Sequence, residues 1–303
     1  MGKGRSAYLQ RSMKISTEIA SAERIIGAER AIELYAKAGF DAFDFSMFDM
    51  VKYDKKTHAL LPNDHPLASH NYLDYAKKIG RLGRELGIKC NQSHAPFHTS
   101  VKCVRDNLKR AIEATAAAGG EICVIHPFNN GTAEENAEFY HTLLPFAAEC
   151  GVKIATENMW CWNKEKNEAS FAACATPESF VKHLELVSDD NFVACLDIGH
   201  AEMKGIGTSA PEMIRALGKK LECLHIHDND KWKDSHQIPY SMNIDFGSVL
   251  LALADIGYDG YFTLEADMYL SSIGADRIEE GIIELAKSAR RLADEYERIR
   301  TEK

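Results

Sequence analysis

The sequence predicts a single (β/α)8 barrel, and three observations carry that expectation. One phrase recurs along the chain: an amphipathic helix ends at Gly and a short apolar strand follows. Eight such units alternate strictly, with no shift of composition between them. The 303 residues accommodate one barrel of roughly 250 residues with extended loops. Short apolar strands between amphipathic helices require a parallel sheet covered by helices. Eight units favour closure over a doubly wound open sheet, the runner-up architecture.

The elements follow in chain order. Residues 1–12 read as a leader or tag-like segment, although Met1-Gly2-Lys3-Gly4-Arg5-Ser6 fits a myristoylation pattern. Residues 13–303 form the barrel domain. Strands are expected near 13–19, 42–47, 88–93, 121–126, 152–158, 192–197, 221–227 and 260–265. Helices are expected near 27–38, 69–86, 104–118, 133–149, 177–187, 210–219, 246–256 and 276–300. Gly39, Gly87, Gly119, Gly151 and Gly257 sit where a left-handed residue ends a helix. Thr132 with Glu135 forms a capping box, Thr176-Pro177-Glu178 places Pro at a first helical position, and Ser209-Ala210-Pro211-Glu212 is similar.

Composition narrows the function. Hydrophobic residues at 45% and charged residues at 27% describe a globular chain. No apolar run approaches the roughly 18 residues that span a bilayer. Lys and Arg number 36 against 45 acidic residues, a net charge of −9. That field opposes nucleic acid and favours small-molecule chemistry. Eight cysteines without a CxxC pair, four of them (Cys90, Cys123, Cys195 and Cys223) in apolar strand-like runs, read as a reduced, cytoplasmic protein. GxGxxG and GxxxxGK[ST] are absent, so no dinucleotide or P-loop site is expected.

From the third predicted strand onward, each strand ends in a titratable group. The ends read Ser93-His94-Ala95-Pro96-Phe97-His98, Ile125-His126-Pro127, Thr156-Glu157-Asn158, Leu196-Asp197-Ile198-Gly199-His200, His225-Ile226-His227-Asp228 and Leu264-Glu265. A barrel's active site lies at the carboxyl ends of its strands. One such group is ordinarily a hydrogen-bonded filler or an ion pair. Six successive strands aiming them at one mouth require a metal or a tight polar network. Side chains two apart share a strand face. That parity turns Glu157, Asp197, His225 and Glu265 inward, and His227 with them. Three carboxylates and one imidazole suit Mn²⁺, with Mg²⁺ or Co²⁺ as alternatives.

These motifs resemble the xylose-isomerase-like TIM-barrel superfamily of sugar and sugar-phosphate isomerases and epimerases, which also holds endonuclease IV. The resemblance covers predicted strands three to eight by motif and the first two by fold alone. In the ketose epimerase branch it implies that Glu157, Asp197, His225 and Glu265 bind one divalent metal and that His200 contacts substrate. That branch carries an Arg where this chain has Lys231, and Lys lacks the guanidinium fork. Likeness to endonuclease IV implies instead three Zn²⁺ held by His94, His126, Glu157, Asp197, His200, His225, Asp234, His236 and Glu265.

The leading expectation is a metal-dependent sugar isomerase or epimerase. Glu157 and Glu265 would move a proton beside a carbonyl through an enediolate. The expected substrate contacts are His94, His126, His200, His227, Lys231, Asp234, His236, Trp160 and Trp162. A sugar lyase, acting as inosose dehydratases or C-glycoside-cleaving subunits do, and the three-zinc phosphodiesterase are the alternatives. The expected partner is a small sugar, with no membrane and no nucleic acid, and a homo-oligomer is compatible.

Overall fold

The computed structural model describes residues 13–303, so the leader-like segment 1–12 lies outside the described residues. Eight strands form the barrel. They are β1 (Lys14–Thr17), β2 (Ala42–Ser46), β3 (Lys89–His94), β4 (Ile122–Val124), β5 (Lys153–Glu157), β8 (Phe192–Asp197), β9 (Leu221–His225) and β10 (Tyr261–Leu264). Two more, β6 (Trp160–Asn163) and β7 (Glu168–Phe171), make an antiparallel hairpin between β5 and the following helix.

All barrel pairings are parallel, and β2-β3-β4-β5-β8-β9 run side by side in that order. The strand β1 pairs with β10. Single bridges, Glu18 to Asp44 and Ile226 to Leu264, join this pair to both ends of the six-stranded run. Ile19 N–H donates to Asp44 O at 3.1 Å and Glu265 N–H to Ile226 O at 3.0 Å. The ring is therefore complete, which fixes the functional groups at one mouth.

The expected helices form, two of them divided, and short extra helices appear. The helix expected at 104–118 divides into Lys102–Arg105 and Leu108–Ala118. That at 133–149 divides into Ala133–His141 and Leu144–Glu149, because Pro145 supplies no N–H to continue the first. The first strand stops at Thr17, and a short helix, Ala20–Ile26, precedes Gly27. Thr132 and Glu135 make the reciprocal capping box. Ser209 accepts from Glu212 N–H and Thr176 from Ser179 N–H.

The main core lies between strands and helices and includes Phe43, Phe45, Ile154, Leu196, Leu224 and Leu264. A smaller cluster of Val124, Ala155, Val193, Cys195 and Cys223 fills the barrel interior beneath the mouth. Its short side chains leave space above them for large polar ones. All eight cysteines are free. Among the described residues no helix is long and apolar enough to cross a membrane.

Candidate active site

Four strand ends bring Glu157, Asp197, His225 and Glu265 together. One ligand atom from each lies within 4.8 Å of the others, and all four residues are buried. The alternation along each strand explains this: Ala155, Cys195 and Cys223, two residues earlier, line the interior plug. Glu157 Oε1 is 3.1 Å from His225 Nδ1, and Glu265 Oε2 is 3.6 Å from the same atom. Asp197 Oδ2 is buried without a hydrogen-bond partner. A buried orphan carboxylate oxygen among converging ligands is what a divalent cation would satisfy, so this donor set fits a metal.

His94 and His126 buttress Glu157. Their Nε2 atoms lie 2.9 Å apart, and His126 Nε2 is 3.0 Å from Glu157 Oε2. A second group is formed by His200, His227, Asp234 and His236. His200 Nε2 and His236 Nε2 lie 3.2 and 3.3 Å from Asp234 Oδ2. The His227 and His236 rings stack at 3.8 Å, and His227 Nε2 is 3.1 Å from Asp197 Oδ1. Gly199 makes that packing feasible, since a Cβ there would lie 1.9 Å from the His227 ring.

Electrostatics separates the two glutamates. Burial would raise the Glu157 carboxyl, but the His225 charge and hydrogen bonds from His126, His225 and His94 hold it well below its usual range. Burial raises Glu265, and the charges of His225, His236 and His94 offset this only in part. Burial pushes His126 down to about 4. At His200 the Asp197 and Asp234 carboxylates outweigh burial and push the imidazole up to about 10.

A cavity of about 340 Å³ opens above these groups. Its wall includes His94, His126, Glu157, Trp160, His200, Asp234, His236 and Glu265 from the expected set. Lys231 and Trp162 are not brought to it. Asn229 Oδ1 accepts from Lys231 N–H and turns the chain, and the Lys231 ammonium pairs with Glu202 at 2.9 Å. Trp162 is 41% exposed on the hairpin. His227 belongs to the second group but is fully buried and does not line the cavity.

Several site residues escaped the sequence reading. Arg24, Phe48, Phe97, Met159 and Asp267 also line the cavity. Asn158 fixes Asp197: its Nδ2 donates to Asp197 O at 2.9 Å, and its Oδ1 accepts from Asp197 N–H at 2.8 Å. Asp44 lies 3.3 Å from His225 Nε2. The available signal for Asp44 was a carboxylate alternating with Phe43 and Phe45 in an otherwise apolar strand.

Solved structures of similar fold include a D-tagatose 3-epimerase-like protein (TM-score 0.68, 22% identity, covering 96% of this chain and 99% of that one). Two others are an IolI protein with a bound zinc atom (0.69, 20%, 94% and 99%) and an L-ribulose 3-epimerase (0.66, 18%, 96% and 96%). At these identities the likeness is one of fold. Among curated proteins, the chain is similar to the uncharacterised MJ1311 of Methanocaldococcus jannaschii, 28% identical over 197 residues. It is also similar to the uncharacterised y4fM of Sinorhizobium fredii, 27% identical over 172 residues. The matches span 61% and 53% of this chain and only 63% and 52% of those relatives. The model of one family, described as xylose isomerase-like TIM barrel, matches residues 32–294. The chain therefore belongs to the xylose isomerase-like TIM-barrel family.

Proposed function

We propose that this protein is a divalent-metal-dependent isomerase or epimerase of a small sugar. The observation that carries the reading is the pair Glu157 and Glu265. Both belong to one tetrad of ligand atoms, and both line the same cavity. A metal held by Glu157, Asp197, His225 and Glu265, with Mn²⁺ preferred, would supply Lewis acidity toward a substrate carbonyl. The family membership and the sugar epimerases among proteins of like fold support the same class.

The chain's own residues divide the work. Glu157 is held anionic by its imidazole neighbours, whereas Glu265 has the raised proton affinity of a carboxyl that can carry a proton. One glutamate removes the proton beside the carbonyl and the other returns it. Delivery to the opposite face gives epimerisation, and transfer between carbons gives isomerisation. His200 orients a substrate oxygen from Asp197's strand end. Phe48, Phe97 and Trp160 in the wall bury the apolar face of the sugar.

The test is incubation of a ketose panel in D₂O with the Mn²⁺-loaded protein, followed by mass spectrometry. Uptake of deuterium by a sugar supports the reading. A second reading, phosphodiester hydrolysis by several zinc ions, is favoured by the His94–His126–Glu157 and His200–His227–Asp234–His236 groups beside the tetrad. No exchange, together with three bound Zn²⁺ and cleavage of abasic-site DNA, would replace the first reading by the second.

A further inference from the structure

On the β2–β3 side the barrel interior carries polar groups beside the apolar plug, and a register shift places them there. In the β2–β3 pairing, Phe43 lies opposite Cys90 but Asp44 lies opposite Gln92, leaving Asn91 as the extra residue on β3. Strict alternation would place only one of Asn91 and Gln92 inside. Here both are buried and engaged with interior groups. A bulge of this kind re-aims side chains beside functional sites.

The Gln92 amide has one workable orientation. Its nitrogen lies 3.4 Å from Leu224 O, which can only accept, and 3.0 Å from Asp44 Oδ2. Its oxygen accepts from Asn91 Nδ2 at 3.1 Å and from Thr263 Oγ1 at 3.0 Å. Asn91 is itself held by Ser16, whose Oγ donates to Asn91 Oδ1 at 2.6 Å. Asp44 Oδ1 accepts from Ser46 Oγ at 3.2 Å. Asp44 is thus pinned from two sides with Oδ2 aimed at His225 Nε2, 3.3 Å away.

His225 then has little freedom. Its Nε2 faces a carboxylate oxygen, and its Nδ1 faces Glu157 Oε1 and Glu265 Oε2. We infer that Asp44, clamped by Gln92, is a positioning residue: it keeps the His225 proton on Nε2 and turns the Nδ1 lone pair toward the metal centre. Nδ1 and the two carboxylate oxygens face one another with a proton or a cation between them, and the bound ion takes the proton's place there. A carboxylate on the far side of a ligating imidazole also strengthens that imidazole as a donor. The inference rests on the metal-dependent reading above.

The experiment measures Zn²⁺ affinity by chelator competition in the wild type, Asp44→Ala, Asp44→Asn and Gln92→Met. It is paired with long-range ¹H–¹⁵N NMR of the His225 ring in the zinc-loaded proteins. Asp44→Ala is expected to weaken zinc binding by about 10- to 100-fold, the usual scale for such partners, and to lose the Nε2–H signature. Asp44→Asn keeps an acceptor without the charge, so it should retain the Nε2–H signature with an intermediate loss of affinity. Gln92→Met should weaken binding in the same direction by a smaller factor. If Asp44→Ala fails to fold, Asp44→Asn and Gln92→Met carry the test. Wild-type affinity and unchanged ring shifts in the folded variants would overturn the inference while leaving the metal reading intact. A wild type that takes up neither Zn²⁺ nor Mn²⁺ would overturn both.

Discussion

The indole Nε1–H of Trp160 donates to Asp234 Oδ2 at 3.2 Å, tying the β6–β7 hairpin to the second histidine group. The same oxygen lies 3.2 Å from His200 Nε2 and 3.3 Å from His236 Nε2. Trp160 is therefore more than an apolar cover over the cavity, because it helps set where that carboxylate points. Trp160→Phe keeps an aromatic ring, though a smaller one, and removes the donor. It is expected to lower stability by about 1–2 kcal/mol, the scale of a partly exposed hydrogen bond to a charged group. Urea unfolding measures this, and an unchanged midpoint would show that the bond contributes nothing.

Removing a tetrad ligand should empty the centre. Asp197→Ala and His225→Ala are each expected to lower metal content and abolish turnover, because either loss leaves three ligands around a buried charge. Asp197 Oδ1 also accepts from His200 N–H at 2.6 Å, so its loss disturbs the second group as well. Elemental analysis of the purified variants checks this. Full occupancy in both would rule out the tetrad as the metal site.

Glu265→Gln separates holding the metal from moving the proton. The amide oxygen can still ligate, but the carbonyl-bearing side chain no longer exchanges protons as a carboxyl does. Much of the metal should remain, while the rate falls about 10²-fold or more, as for a lost general acid or base. The deuterium exchange of the wild type should fall in step. A variant that keeps both its rate and its exchange would remove Glu265 from the proton path.

Metal binding should release protons, and so strengthen as pH rises. In the metal-free protein, nearby carboxylates outweigh burial and raise His94, His225 and His236, and push His200 up to about 10. A ligating imidazole must give up that proton. Apparent affinity is therefore expected to climb as pH rises through and beyond the ordinary imidazole value of 6.5. Calorimetry in buffers of different ionisation enthalpy measures the protons released. Linkage gives the sign for stability. The folded state holds the His200 proton above the ordinary value of 6.5, so its contribution is complete below 6.5 and lost toward about 10. The melting temperature of the metal-free protein should fall across that window. A flat profile in both measurements would contradict these charge assignments.

Much of this protein was determined locally, and those parts were legible in the sequence. Gly39, Gly119 and Gly257 adopt the left-handed conformation expected after a helix. Thr132 and Glu135 close their capping box because the partners are three residues apart. The inward direction of Glu157, Asp197, His225 and Glu265 followed from period-two alternation and the common polarity of parallel strands. Other features depended on contacts between residues far apart in the chain. The bulge at Asn91 breaks the alternation on which the reading relied, and only the pairing of β2 with β3 reveals it. Asp44 meets His225 across 181 positions of sequence. Lys231 turns to Glu202 because a local Asn229 bond reverses the chain, and Trp162 faces outward because the hairpin exposes that side. Sequence spacing specifies which side of an element a residue occupies. Which imidazole meets which carboxylate is set by the closure of the ring, and that is decided by tertiary packing.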